Sequence, residues 1–163
     1  MNRKLKNGLL LIFCLIIFYG SGFWFYEKYF DLQLQITKLF ASKEILFCGK
    51  FQIFGDPNFS LITALIPIFT LLPCLISKKY GLKNYLISLS IILITILICS
   101  LIFGYFDSIR ILKNVEWTRS IDDKLVVPLY QIKILKPYIS GILGGTIISS
   151  LINYYIRQKN ASR

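Results

Sequence analysis

Two apolar stretches decide how this chain is read: Phe59–Ser77, FSLITALIPIFTLLPCLIS, and Tyr85–Phe106, YLISLSIILITILICSLIFGYF, joined through the turn Lys78-Lys79-Tyr80-Gly81-Leu82-Lys83. Neither stretch holds a charged residue. Each is long enough to cross a bilayer as a helix, which takes about 20 apolar residues at roughly 1.5 Å of rise each. The turn carries three lysines and no acid, the mark of a short cytoplasmic loop. A membrane hairpin with its turn inside follows.

Working outward, Gly8–Tyr26 and Tyr138–Ile156 are two further apolar runs. Basic residues precede the first, and Gly20-Ser21-Gly22 gives it a patch that a signal peptidase could cut. Its apolar character continues past Gly22 into Phe23-Trp24-Phe25-Tyr26, and Trp24, Tyr26 and Tyr29 read as an interfacial belt. An uncleaved helix is the expectation. The chain is then an all-α integral membrane protein of four transmembrane helices (about 8–26, 59–77, 85–106 and 138–156). Its 163 residues form one membrane domain, with outer loops 27–58 and 107–137.

The charge supports this order. Net charge is +11 and mean hydropathy +0.63, with 55% hydrophobic and 17% charged residues, more apolar and less charged than a soluble chain. The short segments 1–7, 78–84 and 157–163 carry Arg3, Lys4, Lys6, Lys78, Lys79, Lys83, Arg157, Lys159 and Arg163, and no acid. All eight acids, Glu27, Asp31, Glu44, Asp56, Asp107, Glu116, Asp122 and Asp123, lie in the two longer loops. This is the positive-inside pattern, reinforced by attraction to anionic lipid, and it does not call for nucleic acid. Both termini are expected in the cytoplasm. The Ile, Leu, Phe, Lys and Asn bias suggests an AT-rich genome and a bacterial cytoplasmic membrane.

The outer loops have strand-like patches. Leu32, Leu34 and Ile36 alternate with Gln33, Gln35 and Thr37, although Leu32, Ile36 and Leu39 or Phe40 also fit a helix continued from the first span. Glu44–Phe47 and Phe51–Phe54 around Cys48-Gly49-Lys50 read as a hairpin, as do Ser108–Thr118 and Leu125–Ile134 around Arg119–Asp123. Pro128 cannot donate to a ladder, which predicts an edge strand or a bulge there. Two hairpins on one side predict a small extracytoplasmic β-hairpin or sheet cap. Between them, Gly55-Asp56-Pro57-Asn58 ends the first loop and starts the second span. Pro67 and Pro73 within that span predict kinks.

The fourth span carries the packing signal. Gly141, Gly145, Ser149 and Asn153 recur every fourth residue and share one helix face, with Gly144 beside them. Small faces let helices approach closely in lipid, against the other spans or a second copy. Asn153 is placed to hydrogen-bond across that interface.

Catalytic chemistry is thin. The sequence has no histidine, the commonest general base and metal ligand, and no charged residue inside any of the four runs, which argues against an ion-coupled transporter. Of four cysteines only Cys48 lies in a loop, and no CxxC occurs, so no metal or cofactor is indicated. Asp122-Asp123 reads as a solvated turn. The expectation is a non-enzymatic protein: a scaffold, accessory subunit or immunity-type binder acting through its outer loops on a membrane-protein partner. Trp117, Arg119 and Tyr130 are the candidate contacts, because Trp, Tyr and Arg dominate interface hot spots. A homo-oligomeric pore is the alternative. In outline the arrangement resembles claudin-like four-span proteins, with inside termini, a longer first outer loop and an outer sheet. It departs from them in lacking a two-cysteine, tryptophan-rich first loop: Cys48 is the single loop cysteine, and Trp117 lies in the other loop.

Overall fold

The computed structural model describes residues 3–49, 56–77, 82–113, 119–121 and 124–161. Among these, four helices dominate: α1 (Arg3–Phe40), α2 (Pro57–Ser77), α3 (Leu82–Lys113) and α4 (Leu135–Ala161). Three short strands, β1 (Ile45–Cys48), β2 (Arg119–Ile121) and β3 (Lys124–Pro128), form a cap, and a 3-10 turn, Leu129–Gln131, leads from β3 towards α4. Segments 57–76, 82–113 and 129–156 are long and apolar enough to cross a membrane. The fourth expected run, Gly8–Tyr26, lies wholly within α1.

The helices close into a ring in which α1 packs on α2 and α3, and α4 packs on the same two. Contacts give their directions. Tyr29 meets Ser100 while Phe40 meets Tyr105, so α1 and α3 run the same way. Gly141 faces Ile96 and Gly145 faces Ile92, so α4 runs against α3. Both loops that build the cap therefore emerge at one end.

Along α3 the buried positions are Ser88, Ile92, Ile96, Ser100, Gly104, Ser108 and Ile111, a stripe at helical spacing dominated by small and hydroxyl residues. Leu86, Leu93, Ile94, Leu97, Ile98, Leu101 and Ile102 face outward. The same inversion marks α2, where Thr63 and Thr70 are buried and Leu61, Leu65, Leu72 and Leu75 exposed. Small residues inside and large apolar residues outside is how helices pack when their surroundings are themselves apolar. Four of the buried hydroxyls are satisfied locally: Thr63, Thr70, Ser100 and Thr146 each donate to the carbonyl four residues earlier, whereas the buried Ser60 and Ser149 hydroxyls have no hydrogen-bond partner among the described residues. Pro67 and Pro73 both lie on the buried face of an α2 that remains helical throughout.

The loops depart from expectation in four places. Residues 32–37 are helical, because α1 continues to Phe40. Its buried set is Tyr29, Phe30, Gln33, Ile36 and Thr37, a helical stripe that needs Gln33 and Thr37 inside, where alternation would put them outside. Second, Ile45–Cys48 is a strand, but it pairs parallel with β3, Ile45 opposite Leu125 and Cys48 opposite Pro128. The expected partner strand, 51–54, lies outside the described residues. Third, Ser108–Lys113 belongs to α3 and not to a strand, while Arg119–Ile121, read as a turn, is β2, antiparallel to β3. Fourth, the strand from Lys124 stops at Pro128, and Pro128 sits in the central strand of the order β1-β3-β2. It is tolerated there as the last residue of the strand, beyond β2, whose register ends at Val126. A parallel β1–β3 pair requires a long connection, and the whole α2–α3 hairpin provides it.

The cap and bundle share one apolar core. Ile45 and Val127 of the sheet are buried with Ile111 of α3 and with Ile132 and Ile134 before α4. Arg110 ties the parts together: its Nη2 donates to the Gln131 carbonyl at 2.7 Å and pairs with Asp107 at 3.0 Å.

Candidate functional site

The features with most chemistry gather where the bundle meets the cap. Local sequence places them there. Asp56 caps α2, its Oδ1 accepting from the Asn58 N–H at 2.8 Å and its carbonyl from the Ser60 N–H at 3.1 Å, with Pro57 at the first helical position, where a proline costs no hydrogen bond. Pro137 stands in the first turn of α4 on the same terms, and the Tyr138 N–H bonds the Ile134 carbonyl at 3.3 Å. These two starts bring Phe59 and Tyr138 together under the cap, where they join Phe25, Tyr26 and Tyr29 of α1 in one aromatic cluster.

Below the cluster the polar groups are ordered by their donors. Ser100 Oγ gives its proton to the Ile96 carbonyl, so Tyr29 Oη is the donor in its 2.7 Å bond to Ser100. By the same reasoning Tyr138 Oη donates to Thr63 at 3.0 Å, since Thr63 is committed to the Phe59 carbonyl. Gln33 donates to the Ser100 carbonyl at 3.4 Å, and its fully buried Oε1 has no hydrogen-bond partner among the described residues. These are structural hydroxyls. They form no nucleophile–base pair, since each proton goes to a carbonyl or a neutral hydroxyl.

A groove of about 540 Å³ opens beside the aromatic cluster. Tyr26 and Phe30 of α1 and the α2 cap Asp56 line it together with 129–136, including Tyr130, Lys133 and Lys136. Tyr26 lies in the field of Asp56. Lys133 and Lys136 lie in the field of Asp107, which Arg110 already pairs. The groove thus carries two exposed ammonium groups and one carboxylate over an apolar floor.

The predicted contact residues fare differently. Tyr130 is 81% exposed on the 3-10 turn and lines this groove. Arg119 lies in β2, opposite Val126. Trp117 lies outside the described residues. Leu46, not singled out from sequence, is exposed on β1. The packing residues lie on α4 against α3. A Cβ on Gly141 would collide with the Ile96 backbone, and one on Gly145 would stand 2.6 Å from Ile92 Cα, whereas one on Gly144 meets only the Thr95 methyl at 3.4 Å. Ser149 is fully buried. Asn153 Nδ2 bonds the Ser149 carbonyl at 3.0 Å and reaches Ser88 Oγ at 3.5 Å. The groove was not legible in the sequence. Its lining comes from three separated segments, and the strand expected over Leu125–Ile134 gives way at Leu129–Gln131 to the turn that exposes Tyr130.

Comparison with protein-family models, curated proteins and solved structures finds no match to this chain.

Proposed function

We propose that this chain is a non-enzymatic four-span membrane protein, and that it works by holding a protein partner on its outer cap as a scaffold, accessory subunit or immunity-type binder. In this reading Gly8–Tyr26 joins the three other apolar segments in crossing a bacterial cytoplasmic membrane, both termini lie in the cytoplasm, and the sheet stands outside. The inverted burial of α2 and α3 supports the membrane setting, and the all-basic short segments support the orientation.

One observation carries the binding role. Segments from both outer loops are built into a single sheet, stiffened by the extensions of α1 and α3 beyond their apolar runs, and the sheet and its adjoining turn expose Leu46 and Tyr130. A rigid platform bearing exposed aromatic and apolar side chains is what a partner surface requires. For a pore within one copy the interior would have to be open. Instead Phe59, Tyr138, Tyr29, Ile92, Ile96 and Ile142 fill it.

The test is purification of the intact chain from its native membranes in mild detergent, with the mass of the complex determined. A stoichiometric second protein, lost on Tyr130→Ala with Leu46→Ala, supports the reading. A homo-oligomer alone, conducting ions in liposomes, overturns it in favour of the pore.

A further inference from the structure

The groove under the cap has a depth, and its lining gives it. Tyr26 ends the first apolar run, Asp56 stands three residues before the second and Lys136 two before the fourth. Three points where apolar sequence gives way to polar sequence thus meet at one groove. On the membrane reading above, such points mark the boundary between acyl chains and headgroups, where tyrosine and lysine are favoured. The charges are of both signs: Lys133 and Lys136 from the segment before α4, and Asp56 from the cap of α2. Of the two Asp56 carboxylate oxygens, Oδ1 is the one that accepts from the α2 N-terminus among the described residues. Phe30, Leu129, Ile132, Ile134 and Leu135 supply apolar surface between them.

We propose that this groove binds the headgroup of an aminophospholipid, a phosphodiester carrying a primary ammonium such as phosphatidylethanolamine. Lys133 and Lys136 take the phosphate, Asp56 takes the ammonium, and the apolar lining receives the start of the acyl chains. A phosphate alone would satisfy the lysines and leave Asp56 opposed to it. A zwitterion with a hydrogen-bonding cation meets both signs, whereas a choline headgroup offers Asp56 a charge with no N–H to donate. The groove adjoins the proposed partner surface at Tyr130, which lines it, but lipid binding needs no partner, and the purified chain alone suffices to test it.

Native mass spectrometry of the full chain, released from micelles holding equal amounts of phosphatidylethanolamine and phosphatidylcholine with the same acyl chains, reads the preference directly. The ethanolamine lipid is expected to be retained about fivefold over the choline lipid, the size of one partly exposed charge-assisted hydrogen bond. Asp56→Asn keeps an N-cap of equal quality and is expected to bring the ratio to about one. Lys133→Gln with Lys136→Gln, both exposed positions, is expected to lower retention of both lipids. Equal retention of the two lipids by the native chain overturns the assignment, as does a ratio that Asp56→Asn leaves unchanged. Preferential displacement of both lipids by phosphatidylglycerol also overturns it, because the groove would then read net negative charge and not the ammonium.

Discussion

The ring of Phe59, in the first turn of α2, stacks on the ring of Tyr138, in the first turn of α4, with centroids 4.3 Å apart and planes 22° from parallel. Both rings are fully buried, and Tyr29 of α1 leans on both at 5.7 and 5.1 Å. Three helices are thereby fixed to one another at the point where the cap begins. Phe59→Ala is expected to destabilise the protein by about 3–5 kcal/mol, the cost of a large buried ring and its cavity. Tyr138→Phe keeps the stack and loses only the bond to Thr63, a loss of about 1 kcal/mol. Unfolding in a detergent series measures both, and equal effects from the two variants would show that the stack contributes little.

The small face of α4 makes a sharper contrast between neighbours. Gly145→Leu drives a side chain into the Ile92 backbone, and separating the helices to admit it is expected to cost about 3 kcal/mol or more. Gly144→Ala meets only the Thr95 methyl at ordinary contact distance and removes a flexible residue from a helix, so it is expected to be neutral or to stabilise by up to about 1 kcal/mol. The melting temperature in detergent reads both, and oligomer size is read alongside. If Gly145→Leu leaves both readouts unchanged, the close approach to α3 is not what holds α4.

Which parts of this architecture could be read from sequence follows from how local their causes are. An apolar run long enough to cross a membrane is a local property, so α2, α3 and α4 were legible, as were the Asp56-Pro57 start and the glycine spacing. A small sheet joining the two outer loops was legible as well, but its strand bounds and pairing were not, because each of those errors has a non-local cause. Gln33 looks like the outer face of a strand until Ser100 and Gly104 of α3 are beside it. Ile45–Cys48 pairs with a strand about 80 residues away in sequence, a choice that no local pattern encodes. Tyr130 was singled out by residue type alone. Its exposure depends on the turn after Pro128.

Topology can be checked without a partner. Cys48 is exposed on β1 and Cys74 is buried in α2. A membrane-impermeant maleimide applied to intact cells is expected to modify Cys48 and leave Cys74 unmodified, with Cys48→Ser as the control. Reporter fusions at Lys79 and Arg163 are expected to report cytoplasm and one at Asp122 the outside. A periplasmic signal at Lys79 would reverse the orientation and place the sheet in the cytoplasm.

Arg110 is where the cap should come loose. Its guanidinium bridges the Asp107 carboxylate, on the preceding turn of α3, and the Gln131 carbonyl. Arg110→Met leaves Asp107 without its ion-pair partner, with only the field of Lys133 and Lys136 remaining, and the Gln131 carbonyl without that donor; with Arg110 partly exposed, it is expected to cost about 2 kcal/mol. Because part of that cost is a half-buried carboxylate left without its ion pair, Asp107→Leu combined with Arg110→Met should be milder than Arg110→Met alone. Hydrogen exchange localises the effect. Amides of 124–134 should lose protection in Arg110→Met while those of α2 do not, since α2 is held by Phe59 and Tyr138 below the bridge. Uniform loss of protection across the chain would instead mean that cap and bundle unfold as one unit, and that Arg110 stabilises the whole rather than the seam between them.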